Sequence, residues 1–272
     1  MRMKKLVIIA GLASLLLSCE TVVKNTTTTK VQTIAAADIE EIIPVNTSND
    51  PKADQIIEAV IKAHGGSLYD QADYSFVFRK KSYRFKNDGQ SFTYEVNTKD
   101  AKGNTIRDVI ENGAFTRFVN EEPIKLSEKN KTRYSAALNS VIYFATLPHK
   151  LKDAAVNKLY QGETTIKGES YNVIKVFFDE EGGGADHDDI FYYWANKETN
   201  MIDYFAYNYA VNGGGTRFRS YYNRRNVRGI VFQDYINWKA NKNIPLDKLP
   251  ELFEKGSLKE LSRIETEQVK HN

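Results

Sequence analysis

The chain has 272 residues, with 14 Phe, 16 Tyr, one cysteine and a formal net charge of +3. One cysteine excludes a disulfide framework and a cysteine-based metal centre. Setting aside Arg2, Lys4 and Lys5 leaves 35 basic against 35 acidic residues, so no global field for nucleic acid or acidic substrates remains.

Residues 1–5 carry those three basic side chains, and residues 6–17 are apolar apart from Gly11 and Ser14. A membrane span needs about 20 predominantly apolar residues, whereas an export signal has a core of roughly 7 to 15. The spacing therefore predicts a signal peptide over residues 1–18 that is removed. The run ends in Leu16-Leu17-Ser18-Cys19, which resembles the lipobox of bacterial lipoproteins. That resemblance implies that Cys19 becomes the mature N-terminus and is the lipid attachment site, each buried CH₂ adding about 0.8 kcal/mol of membrane affinity. The other reading of Cys19 is an ordinary buried cysteine behind a conventional signal peptide. Residues 19–49 include Thr26-Thr27-Thr28-Thr29 and few large side chains, the composition of a flexible tether. Ile39, Ile42 and Ile43 are a weak apolar patch that could instead pack on the domain.

Residues 50–272 are predicted to form a single domain. A helix opens it, capped by Asp50 with Pro51 in its first turn and ended by His64-Gly65-Gly66. Ala53, Ile56, Ile57, Val60 and Ile61 form its apolar stripe. Strands follow. Tyr74, Phe76 and Phe78 share one face, and the apolar set then shifts parity to Tyr83 and Phe85, as a bulge or sharp bend would allow. Phe92, Tyr94 and Val96 mark the next strand, and Ile106 to Ile110 pairs with Phe115 to Val119 across Asn112-Gly113. Tyr134, Ala137, Leu138, Val141, Ile142 and Ala145 then fall at helical spacing until Leu147-Pro148 ends the helix. A short helical turn follows around residues 150–155.

The second half reads as a meander of long strands, because its short links connect antiparallel neighbours and cannot house a parallel crossover. Tyr171 and Val173 oppose Ile174 and Val176, and Ile190, Tyr192 and Trp194 oppose Phe191 and Tyr193, so both faces of these strands are expected to be covered. After a short helix ending at Lys255, residues 258–269 are read as one last strand.

This order of elements, together with Ala63-His64-Gly65-Gly66, Leu147-Pro148-His149-Lys150-Leu151-Lys152-Asp153, the strands at 171–178 and 190–194, and Gly229-Ile230-Val231-Phe232-Gln233-Asp234-Tyr235, resembles Bacteroidetes lipoproteins of uncharacterised families with a LolA/LolB-like lipoprotein-carrier fold. The resemblance implies a mainly β fold with α, a strongly curved antiparallel half-barrel sheet closed by helices around a cavity for a lipid or acyl-chain ligand. Phe76, Phe78, Tyr94, Val141, Ile142, Tyr192, Trp194, Tyr204 and Phe232 are the expected cavity residues. The expected location is the cell envelope, at the outer membrane by its N-terminal lipid, with the domain in the periplasm or at the cell surface, and an envelope protein as a further partner.

No catalytic residue, cofactor or metal is assigned. His64-Gly65-Gly66 suggests an esterase oxyanion loop only if a Gly-x-Ser-x-Gly elbow is present, and none is. Asp186-His187-Asp188-Asp189 offers metal-ligand types, but a solvated loop explains it better. The arginines at 217, 219, 224, 225 and 228, interleaved with Phe218, Tyr221 and Tyr222, could meet anionic headgroups or a glycan, against a default of cross-strand pairs with acids. Asp234 is expected to pair with one of them. The enzyme alternative brings His149, Asp234 and Arg217 together to act on lipid or glycan; a purely structural or interaction lipoprotein is the third class.

Overall fold

The computed structural model describes residues 50–181, 188–209 and 213–272. The expected export signal and tether, Cys19, Asp186 and His187 lie outside the described residues. Helix α1 spans Pro51–His64. Asp50 accepts from the backbone N–H groups of Lys52 and Ala53 at 3.0 and 3.2 Å, and from that of Tyr160 at 2.7 Å, which ties the helix start to a strand. Those bonds, the one from Tyr160 foremost, hold its carboxyl below the usual range. Gly65 ends the helix at φ 136°, a conformation that L side chains rarely adopt.

The strands then run in sequence: β1 (Asp73–Phe78), β2 (Lys81–Asp88), β3 (Ser91–Lys99), β4 (Thr105–Glu111), β5 (Ala114–Val119) and β6 (Glu122–Ile124). Helix α2 (Glu128–Ala145) interrupts them. Then follow β7 (Val156–Ile166), β8 (Glu169–Phe178), β9 (Phe191–Asn196), β10 (Ile202–Tyr209), β11 (Gly215–Val227), β12 (Ile230–Ala240), α3 (Leu249–Glu254), β13 (Lys259–Ile264) and β14 (Glu267–His271). They form two seven-stranded antiparallel sheets, ordered β14-β1-β2-β3-β4-β5-β6 and β13-β12-β11-β10-β9-β8-β7. The second sheet is the expected meander.

Two details refine the sequence reading. Of the two readings of the parity shift after Phe78 the bulge fails and the sharp bend holds, as a two-residue hairpin turn at Arg79-Lys80 with both residues at positive φ that makes two strands of the segment. Phe76 thus sits opposite Tyr83 and Tyr74 opposite Phe85, and all four point to one face. The last strand is two: β13 pairs with β12 in the second sheet and β14 with β1 in the first. Only Glu265 and Thr266 separate them, so the chain changes sheets there and each sheet begins where the other ends. Among the described residues the far edges, β6 and β7, pair with nothing further, and the two sheets form an open half-barrel.

Asp234, with a side chain 2% exposed, pins that corner. It accepts from the Thr266 N–H at 2.9 Å, the Thr266 hydroxyl at 3.2 Å, Asn223 at 2.6 Å and Arg225 at 3.1 Å. The expected arginine partner is thus found. Asp203 is held the same way by Arg224 at 2.6 Å.

The core has three parts. Tyr74, Phe76, Phe85, Tyr94 and Ile110 of the first sheet pack on Leu138 and Ile142 of α2 and on Phe232. Ile174, Val176, Phe191, Tyr193 and Phe205 of the second sheet pack on α1 and on Tyr143 and Phe144 of α2. Its other face, with Tyr171, Val173, Trp194, Tyr204 and Phe218, is covered by Leu249, Leu252 and Phe253 of α3. The second sheet is buried on both sides, as its two-faced apolar strands require.

Candidate functional site

Helix α2 has two unlike faces. Leu138 and Ile142 are buried against the first sheet, with Tyr134, Val141 and Ala145 beside them. The opposite stripe, Thr132, Ser135, Ala136, Asn139 and Ser140, is small and falls at helical spacing, ending in the bulky Tyr143 and Phe144. The bulky pair reaches the second sheet, and the small residues do not fill the space beside them.

A cleft of about 730 Å³ results, inside the roughly 300–1,000 Å³ range of ligand pockets. The first sheet contributes Phe92, Ile110 and Phe115 to it, and the second Phe178, Phe191, Tyr207 and Tyr209. Its inner end is a stack of rings: Phe191 on Tyr207 with centroids 5.1 Å apart, Phe144 on Phe205 at 5.9 Å, and Phe144 tilted on Tyr207 at 5.7 Å. The hydroxyls of Tyr143 and Tyr193 meet at 3.3 Å. Burial pushes the Tyr143 hydroxyl up to about 12 and raises that of Tyr193 well above its ordinary value, so both stay neutral.

Charge enters at two places. Glu128 and Lys131 stand at the start of α2, and Asp189 and Arg217 on the side of the second sheet. Arg217 donates to the Tyr209 hydroxyl at 2.5 Å and to the Thr216 carbonyl at 2.9 Å. Behind the ring stack, Arg219 is buried and donates to the Tyr207 hydroxyl at 2.8 Å. The default of cross-strand acid pairing therefore holds for Arg224 and Arg225 and fails for Arg217 and Arg219 among the described residues.

None of the nine residues chosen from sequence lines this cleft. Phe76, Tyr94, Ile142 and Phe232 are buried in the core of the first sheet, with Phe78 and Val141 packed at its fringe. Trp194 and Tyr204 are buried under α3, and Tyr192 packs there too. The reason is parity: on β9 the cleft takes Phe191, and its neighbour Tyr192 points to the other face of the sheet. On α2 the apolar face seals against a sheet, and the small polar face borders the space.

The proposed enzymatic trio is not assembled. His149 stacks on Tyr69 at 4.6 Å, Asp234 is bound up with Arg225 and Thr266, and Arg217 holds Tyr209. His64 is buried, its Nδ1–H donating to the Val60 carbonyl at 2.9 Å. Among the described residues no group of three or more His, Cys, Asp or Glu side chains is placed to hold a metal ion. No described helix is long and apolar enough to cross a membrane.

A family model described as a family of unknown function, DUF6503, matches residues 42–266. No curated protein matches the sequence. Among solved structures, a LolA superfamily protein from Nitrosomonas europaea is similar at 12% identity and TM-score 0.46, covering 81% of this chain and 93% of that one. A DUF1329 family protein from Desulfovibrio piger is similar at 11% identity and TM-score 0.39, covering 82% and 94%. The Mycobacterium tuberculosis lipoprotein LppX is similar at 10% identity and TM-score 0.29, covering 73% and 100%.

Proposed function

The chain belongs to the DUF6503 family of unknown function, and from that premise we propose that it is a lipid-anchored envelope protein that binds a hydrophobic ligand, a lipid or acyl chain, in the cleft beside α2. One observation carries the reading: a half-barrel walled by Phe and Tyr rings is left with about 730 Å³ of room because α2 turns small side chains toward it. A core built only for stability would be filled to native density. The rings that both sheets contribute to the cleft walls suit an apolar guest. Binding of this kind needs shape and no reacting group, so the reading is non-enzymatic. The lipobox at Cys19 supports attachment at the envelope, with the outer membrane as the proposed site, a Bacteroidetes source and an envelope protein as a further partner.

The test is native mass spectrometry of the Cys19→Ala protein, purified without detergent. Co-purified lipid is expected, and Ser140→Trp, which places an indole in the cleft from an exposed position, should lose it with the circular dichroism spectrum unchanged. A clean apo mass across several preparations refutes the reading. In cells, Cys19→Ala should move the protein to the soluble fraction; retention in the membrane refutes the anchor.

A further inference from the structure

We propose that the cleft holds a long-chain carboxylate by its acid group, with Arg219 as the anchor and Arg217 nearer the mouth. This rests on the reading of the cleft as an acyl-chain site and adds the chemistry of the headgroup.

Arg219 is 6% exposed. Among the described residues its only side-chain hydrogen bond is to the Tyr207 hydroxyl, and its Nε and Nη1 have no partner there. The guanidinium lies 4.2 Å from the Phe144 ring centroid, 5.1 Å from Phe205 and 5.2 Å from Tyr207. Such rings favour a cation but offer no acceptor to its in-plane N–H groups. A guanidinium stays charged at any working pH, and a buried charge without a counter-charge is costly.

The fold pairs its other partly buried arginines. Arg117 meets Asp108 at 2.6 Å, Arg224 meets Asp203 at 2.6 Å and Arg225 meets Asp234 at 3.1 Å. Two of these three sit on the same strand as Arg219. Among the described residues Arg217 and Arg219 have no ion-pair partner. Alternate residues on a strand share a face, so the two guanidinium groups follow one another along the second sheet's wall. Two of the rings that flank Arg219, Phe144 and Tyr207, are cleft walls. An acid that passes them meets buried guanidinium N–H groups of Arg219 that no acceptor among the described residues satisfies, while its chain lies along Phe92, Phe115 and Phe178.

The experiment uses the Cys19→Ala protein with the neutral dye N-phenyl-1-naphthylamine, displaced in turn by dodecanoate, dodecanol and dodecyl phosphate at pH 8. Dodecanoate is expected to displace the dye about tenfold more tightly than dodecanol. Arg219→Met should bring that ratio to near one while dodecanol still binds, and Arg217→Met should lower it in part. The thermal midpoint of ligand-free Arg219→Met should equal or exceed that of the parent, because a buried unpaired charge is gone; a purely structural arginine would give a fall. Equal affinity for acid and alcohol in the parent overturns the headgroup assignment and leaves the cleft reading intact. Failure of dye and all three ligands to bind overturns both. Tighter binding of dodecyl phosphate than of dodecanoate overturns the carboxylate in favour of a phosphate. Should Arg219→Met not fold, the parent's acid-to-alcohol ratio and Arg217→Met decide the matter.

Discussion

Asp234→Ala is expected to be among the most damaging single changes outside the apolar core. The carboxylate is 2% exposed and accepts from four donors, two of them on Thr266 at the step from β13 to β14. Arg225 also donates to the Thr266 carbonyl and hydroxyl, so one truncation loosens the whole corner. Removing one partner of a buried ion pair costs roughly 3–5 kcal/mol, because the other charge is left uncompensated. In a domain of this size 1 kcal/mol shifts the melting midpoint by about 2–4 °C, which gives a fall of about 6–20 °C. Urea unfolding with an unchanged slope is the assay. Asp234→Asn keeps one acceptor and should lose about half as much, within the roughly 1.5–3 kcal/mol of charge-assisted hydrogen bonds. Adding Arg225→Met to Asp234→Ala should recover part of the loss by removing the stranded cation. A loss below about 1 kcal/mol for Asp234→Ala would refute the view that this carboxylate fastens the junction.

Three further expectations follow from packing and burial. Gly65→Ala should cost about 1–3 kcal/mol, since φ is 136° and a Cβ would stand 3.1 Å from Ile230 Cγ1 and 3.2 Å from its Cα; Gly66→Ala, with nothing within 4 Å, should cost less in the same urea titration. Leu138→Ala should cost about 2–5 kcal/mol, because this side chain seats α2 on the first sheet. Burial holds His64 and His149 down to about 4, so below the ordinary value of about 6.5 the unfolded chain binds protons that the fold refuses. That stability is fully present above pH 6.5 and is lost as pH falls toward 4, with His64 accounting for about 2 kcal/mol at pH 5. Equal urea midpoints at pH 7 and pH 5, or an unaltered difference in His64→Gln, would refute it.

Much of the architecture was legible because alternation and turn chemistry agree along most of the chain. The Ile106 to Val119 hairpin and the two-faced strands at 171–178 and 190–194 needed only side-chain parity. The turn at Arg79-Lys80 stayed open between bulge and bend because neither residue advertises positive φ, unlike Asn112-Gly113. The step from β13 to β14 was hidden because residues 265–268 are a polar run with no glycine or proline to mark a turn. The cleft was missed for a different reason. Parity says which residues share a face, but not which face is packed tight; the informative signal was the run of small residues on α2, which lack the bulk to fill what they face.

The change of sheet at Glu265-Thr266 has a mechanical meaning. Among the described residues no ladder of backbone hydrogen bonds joins the two sheets, and β6, three exposed residues including Pro123, is a poor template for recruiting one. The jaws of the molecule are therefore hinged on one side and free on the other. Their gape is governed by how side chains seat on the central helix, and on the proposed reading a ligand spreads them at the expense of ring contacts while every strand keeps its neighbours.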